Sequence, residues 1–440
     1  MKKFLAVLMS VCMLLAVVGC GGSDDKKKDN QIKDALKMEW TEQEKMFEKA
    51  KGTTITKVGS MDDMNEYDKQ VTLEFMERYD ISIDWIPMGY SEYTSKLPQM
   101  VAAGNPPDTG VMTDATALNF MYSNIAAPIN EYLKLDDPYW DMDILNNFKI
   151  GDNYNAVNTA EVDTFFVYYN KTLFEEQGID DPYTLYQNGQ WTFDKLREIA
   201  KKATIYESDN TTVSCYGIGT HYKEVFALAN GGNIIEYDAA SGKYVSKVGN
   251  ANTIYGLNFY KDLIADGSME PSIAGFTEFP ARQIAMFIER PQHAIGAYDL
   301  LKTMKDEIGI VPLPASASDG KYYAASNHIT NFVPVNAKNP LGGMAWNYFW
   351  VRRLIDGGKE DNSTWNARQY KMMSKEHETI INDYFTKATK VSSKLESLSG
   401  WGNYSEEFWG GLMYDLKPAE EVSASMQNII TSAINRTIGQ

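Results

Sequence analysis

The residue types that could do covalent chemistry are present but scattered. Histidines stand at 221, 293, 328 and 377, and His377-Glu378 is followed by Thr379-Ile380-Ile381, so the two-histidine helical turn of a zinc protease is missing. There is no Gly-x-Ser-x-Gly elbow, and Gly320-Lys321 runs into Tyr322 where a phosphate-binding loop needs Ser or Thr. Asp137, Asp141 and Asp143 surround Trp140 without the tight-turn glycine or terminal glutamate of a calcium loop, and read as a solvated acidic loop. Paired carboxylates for glycoside hydrolysis depend on spacing in three dimensions, which the sequence neither shows nor forbids. What the chain has in quantity is aromatic surface: 12% of residues, with 27 Tyr and 9 Trp. A sugar site needs flat apolar faces for ring C–H groups and donors or acceptors for hydroxyls, and tyrosine supplies both. The chemistry indicated is non-covalent capture of a small polar solute, with no catalytic, metal or cofactor site expected.

Such residues need a scaffold, and about 420 residues after a leader exceed the usual limit for one core, so two globular units are expected. The net charge is −17, and becomes −19 once Lys2 and Lys3 leave with the leader. An acidic chain without a basic stripe is a poor nucleic-acid binder and disfavours anionic ligands. The leader itself runs Met1-Lys2-Lys3, an apolar stretch from Phe4 to Val18, then Gly19-Cys20. This is the order of a secretory signal, and its end resembles the bacterial lipobox, which implies removal of residues 1–19 and acylation of Cys20. Residues 20–50 then form the anchor, a charged linker and a possible stalk helix. Cys12 departs with the leader and Cys20 carries lipid, leaving Cys215 without a disulfide partner and read as a small buried hydrophobe.

The body opens with a strand at Thr53–Val58, a helix through Asp68 to Tyr79 and an alternating strand at Ile81–Ile86. A helix from Tyr93 to Ala103 stops at Gly104-Asn105-Pro106-Pro107-Asp108, before the apolar run Thr109–Met112. A second alternation starts at Thr164–Tyr169 and continues through helices at Lys171–Gln177 and Thr192–Thr204. This order predicts α/β architecture, with ligand loops at the carboxyl ends of parallel strands. No internal repeat is visible.

Several segments, in order, resemble the family 1 extracellular solute-binding proteins of ABC importers, the group containing maltose-binding protein. They are Tyr93–Asp108, with its Ala-Gly-x-x-Pro-Asp ending; Tyr169-Asn-Lys-Thr-Leu-Phe174 followed by Trp191-Thr192; Phe279–Met286; and Ile308-Gly-Ile-Val-Pro-Leu-Pro314. Two departures stand out: Arg282 replaces a common glycine, and Glu289–Tyr298 replaces a Gly-x-Trp segment. The resemblance implies a two-lobed, type II periplasmic-binding-protein-like fold, each lobe a mixed sheet flanked by helices, with the ligand cleft between lobes. It places residues 51–160 and 330–388 in an N-terminal lobe, and 163–327 and 390–440 in a C-terminal lobe. Crossings are expected near 158–164, 325–331 and 385–395. It further implies a monomeric, non-enzymatic receptor at the outer face of the cytoplasmic membrane. That receptor would be held by Cys20, bind a carbohydrate and deliver it to importer membrane subunits. A non-sugar solute is the alternative, and a surface glycosidase or adhesin a more distant one.

Candidate ligand contacts follow from strand ends and crossings. Tyr90 and Tyr93 come after the strand at 81–86, Asp114 after 109–112, and Tyr168 just past the first crossing. Tyr298 and Asp299 end an apolar run, Asn327 and His328 fall at the second crossing, and Trp401 stands between Gly400 and Gly402 like the family's sugar-stacking tryptophan. Competing readings are a capping role for Asp114, core packing for Tyr168 and His328, and Trp409 in place of Trp401. Trp191, Trp346 and Trp350 read as packing.

Overall fold

The computed structural model describes residues 38–439, apart from 65, 160–163, 273–274, 292–293, 295–303 and 361–373. Cys20, Tyr298 and Asp299 therefore lie outside the described residues. The strands that build the lobes are β1 (Thr54–Val58), β2 (Ser82–Ile86), β3 (Gly110–Thr113), β4 (Phe166–Asn170), β5 (Met286–Glu289), β6 (Ile308–Pro312), β7 (Tyr323–Ser326), β8 (Ile329–Phe332) and β9 (Thr389–Ser392).

In the N-terminal lobe β2 pairs parallel with β1, which meets β3 through a parallel bridge between Lys57 and Thr109. β3 pairs antiparallel with β8, and Val157 bridges antiparallel to Asn331 on the other side of β8. The C-terminal lobe repeats this plan. Residues 216–219 lie parallel to β5, and β4 runs antiparallel between β5 and β6. Each sheet thus has one reversed strand, β8 or β4, and each of these enters directly from a crossing. The topological repeat was invisible in the sequence because strand order, not residue identity, carries it.

The crossings lie side by side. Thr164 bridges antiparallel to Ser326, their hydroxyls 2.8 Å apart, and β7 pairs parallel with β9. β6 is buried along its whole length, which accounts for its continuous apolar run. β4 divides its side chains by the two-residue period: Val167 and Tyr169 face the large core shared with the C-terminal helices, while Phe166 and Tyr168 face a smaller one with Phe287, Ile310 and Tyr384.

Motif residues acquire structural reasons. Asp108, ending the Gly104–Asp108 stop, accepts from the Thr56 N–H at 2.7 Å and the Asn339 N–H at 2.6 Å, so it pins the start of β3 to β1 and to the chain before helix Pro340–Glu360. Arg282 has φ +58°, a left-handed conformation, which explains why glycine suits that position elsewhere. The arginine is held there by Asp306 and Glu176 at 2.5 and 2.9 Å. Trp191 is packed, its indole N–H donating to the Pro312 carbonyl at 2.8 Å, and Trp346 stacks on Trp350. Cys215 is buried, and burial pushes its thiol up to about 12.

The helix Glu42–Met46 docks on the body through Glu44. This fully buried carboxylate binds Arg78 at 3.0 Å, Arg352, and the Tyr79 hydroxyl at 2.5 Å. Residues 38–50 are thereby part of the N-terminal lobe, where a free stalk was one expectation. No helix among the described residues is long and apolar enough to cross a membrane.

Candidate functional site: a cavity between the lobes

Three strand ends meet the crossings at one place. β3 ends at Thr113, and the helix Asp114–Tyr122 begins at once. In the other lobe the parallel segment 216–219 ends at Gly219 and leads to Tyr222 and Glu224. Phe165 precedes the reversed strand β4. Together with Ser326, Asn327 and Ser393 from the crossings, these residues line a cavity of about 120 Å³. This is the crevice outside the carboxyl ends of the parallel strands, where open α/β sheets bind ligands.

Its aromatic wall is the pair Phe165 and Tyr222, with ring centroids 4.3 Å apart and planes at 61°. Behind them Arg290 donates to the Tyr222 hydroxyl at 2.7 Å, with its guanidinium 5.3 Å from the Tyr222 ring and 5.7 Å from that of Phe165. Arg290 is itself buried, and its backbone N–H donates to the buried Glu289 carboxylate at 2.8 Å. The His221 ring packs against Tyr222 with planes tilted by 40° and stands 3.7 Å from the second Glu289 oxygen. The polar wall is Glu224, which accepts from the Ser393 hydroxyl at 2.7 Å. Burial pushes its carboxyl up to about 7, against the effect of Ser393 and helped by the negative charges of Glu396 and Asp114.

The predicted contacts divide. Asp114 lies on the cavity, but its carboxylate is largely committed to protein groups. It accepts from the His328 N–H at 2.6 Å and the Ser392 hydroxyl at 3.0 Å, and pairs with Lys394 at 3.3 Å. Asn327 lines the cavity and is half-buried. His328 is buried beside it, 3.8 Å from Asp114, and neither ring nitrogen has a hydrogen-bond partner among the described residues. Burial holds its pKa below the ordinary histidine range, with Asp114 opposing.

Tyr93 is buried elsewhere. Its hydroxyl accepts from the Val111 N–H at 3.0 Å, and it lines a separate N-lobe cavity of about 180 Å³ with Lys57, Asn331 and Trp346. Lys57 lies between indole rings, 5.6 Å from Trp85 and 5.4 Å from Trp346, and burial pushes it down to about 8. This cavity is the larger of the two but belongs to one lobe, whereas the smaller one gathers both lobes and the crossings.

Tyr168 and Trp401 stand apart from the cavity. Tyr168 is 1% exposed in the middle of β4, between Phe287 and Ile310 in register, so its face is covered by sheet neighbours and Tyr384. The cleft end of a reversed strand is its beginning, which is why Phe165 takes the place assigned to Tyr168. Trp401 is fully buried against Phe408 rather than presented on a platform. Gly400, at φ +78°, turns the chain there, and Gly402 begins the helix Gly402–Met413. Tyr90 begins the helix Tyr90–Ala102, and its side chain lies outside the described residues.

Tyr222, Glu224, Phe165 and Ser393 were not predicted. A signal existed for Tyr222 and Glu224, which follow the Tyr216–Gly219 run as Asp114 follows β3. For Ser393 there was none.

Comparison with known proteins places this architecture. Residues 70–352 match the model of the bacterial extracellular solute-binding protein family. Binding proteins of Brucella abortus and Brucella suis are 21% identical over 262 residues, which is 55% of this chain. The alignment spans 58% of the length of these curated relatives. Among solved structures, the extracellular solute-binding protein of Staphylococcus aureus in complex with maltose is similar with a TM-score of 0.65 at 13% identity, covering 87% of this chain and 98% of that one. The ABC substrate-binding protein of Listeria monocytogenes in complex with cycloalternan gives 0.60 at 16%, covering 88% and 99%. UgpB of Mycobacterium tuberculosis in complex with glycerophosphocholine gives 0.63 at 14%, also covering 88% and 99%. At these identities the likeness shows the fold, a type II periplasmic-binding-protein-like pair of lobes. With nearly two thirds of its length matched by one family model and both sheets built to this plan, the chain belongs to the bacterial extracellular solute-binding protein family.

Proposed function

We propose that this protein is the substrate-binding lipoprotein of an ABC importer. It holds a sugar or oligosaccharide in the interlobe cavity, contacts it from both lobes so that binding favours the closed form, and presents it to the permease. The observation carrying this reading is the cavity itself: an aromatic pair for sugar faces opposite Glu224 and Asn327 for hydroxyls, at the junction of three crossings. Capture requires no chemical step, so the protein acts as a receptor and not an enzyme. Residues 1–19 serve as the signal, and acylated Cys20 tethers a monomer to the outer face of the cytoplasmic membrane.

The non-sugar alternative keeps one specific support, the carboxylates of Glu224 and Glu396, which suit a solute bearing an amine as well as hydroxyls. Calorimetry of the mature protein with maltose, mannobiose, maltotriose and glycerophosphocholine tests the reading. Saturable binding of a saccharide that is recovered intact is the expected result. Binding of glycerophosphocholine alone would move the solute class, and release of cleaved sugar would overturn the receptor role. Labelling with palmitate that disappears in Cys20→Ala checks the anchor.

A further inference from the structure

Glu224 differs from the other charged groups around the interlobe cavity that are not exposed. Asp114, from the helix Asp114–Tyr122, is paired with Lys394. Arg290 is engaged by Glu289 and Tyr222, and His221 lies beside Glu289. Lys223, on the same segment as Glu224, has its ammonium over the Trp409 ring at 5.7 Å. Glu396, from the third crossing, brings a second negative charge to the cavity. Glu224 itself has only the Ser393 hydroxyl, on one oxygen, and no cation within salt-bridge distance among the described residues. A half-buried carboxylate that lines the cavity with two aromatic rings and stands near two like charges lacks a donor that a bound solute can supply.

We propose that Glu224 is the specificity-determining residue of the cleft: it accepts a hydrogen bond from a hydroxyl or ammonium of the solute, excludes anionic solutes, and releases a proton to the solvent as the solute binds. The inference rests on the solute-binding reading above and adds which group chooses the solute. Its free-protein basis is separate. With its carboxyl raised to about 7, the empty protein carries Glu224 partly protonated at neutral pH. A donor from the solute stabilises the ionised form, so the proton leaves. Glucosamine and glucose satisfy this acceptor, whereas glucuronate places a third negative charge beside Glu224 and Glu396.

The experiment has two arms on the mature protein and Glu224→Gln. The first uses no solute. Glu224 binds its proton more tightly folded than unfolded, so its contribution to stability falls as pH rises from about 4.5 to about 7 and stays lost above that. Glu224→Gln lacks this loss, so its melting temperature relative to the parent should be higher at pH 8 than at pH 5. An equal difference at both pH values overturns the assignment of a raised carboxyl to Glu224.

The second arm titrates maltose, maltotriose, glucosamine and glucuronate by calorimetry in buffers of differing ionisation enthalpy. Proton release near pH 6.5 that vanishes in Glu224→Gln, at least about tenfold weaker binding by that variant at pH 8, and no binding of glucuronate support the proposal. Equal affinities in parent and variant overturn it. If none of the four solutes binds either protein, the solute-binding reading fails and this inference falls with it, while the first arm still shows whether Glu224 holds a proton.

Discussion

Asp114→Ala should destabilise the protein before any ligand is considered. The carboxylate is 2% exposed and holds three donors from two crossings: the His328 N–H, the Ser392 hydroxyl and Lys394. Removing it strands the Lys394 ammonium, whose side chain is 4% exposed and whose other neighbours are the Phe148 ring at 4.6 Å and the Ser392 hydroxyl at 3.5 Å. Breaking a buried pair from one side costs about 3–5 kcal/mol, because a charge remains without a counterion. The double variant Asp114→Ala with Lys394→Met removes that charge as well, leaving chiefly the unmet His328 N–H at about 1–3 kcal/mol. Urea unfolding of the ligand-free protein should therefore order the three as parent, double variant, single variant. A residue acting only on ligand would leave the free protein within about 0.5 kcal/mol of the parent. That result for Asp114→Ala would refute the clamp and return the residue to the solute.

Three other perturbations separate structure from binding. Trp401→Ala should cost about 3–5 kcal/mol in urea unfolding, since a fully buried indole is removed, yet leave solute affinity of the folded protein unchanged in calorimetry. Glu44→Ala leaves Arg78 and Arg352 facing an empty buried position and should undock the helix Glu42–Met46, read as faster trypsin cleavage at Lys45 and Lys49 with the main body intact. His328 titrates in the opposite sense to Glu224: its folded pKa lies below the ordinary 6.5, so its share of stability is present above that pH and is lost as pH falls below it. His328→Gln should accordingly lose less stability than the parent between pH 7.5 and pH 5, measured as the shift in urea midpoint.

How much of this could be read beforehand depended on what fixes each feature. The first strand–helix–strand unit was legible because burial on a sheet face imposes a two-residue period and the Gly104–Asp108 stop marks a turn. Residues lining the cavity were legible only where a strand end or a crossing was, as with Asp114 and Asn327. Tyr168, chosen for lying just past the first crossing, stands away from the cavity because it sits in mid-strand between Phe287 and Ile310, whereas Phe165, ahead of the strand, reaches the cavity. Trp401 is buried, which was not legible because glycine neighbours mark a sharp turn without saying whether the turn points in or out.

The contrast between Asp114 and Glu224 shows where sequence reasoning stops. Both are carboxylates placed just beyond the end of a parallel strand segment, and both line the same cavity. Asp114 finds Ser392 and Lys394, nearly 280 residues away, and is tied to the third crossing. Glu224 finds Ser393 alone, one residue further along the same segment, and keeps an oxygen to offer. A one-residue step along an extended chain reverses the face from which a side chain projects, so the same passage of the third crossing can pair one acid and leave the other without a cation. Whether a carboxylate on this cavity is held by protein groups or keeps an oxygen free is thus decided by the register of a distant strand, and substitutions in residues 390–396 should change that division without touching either acid.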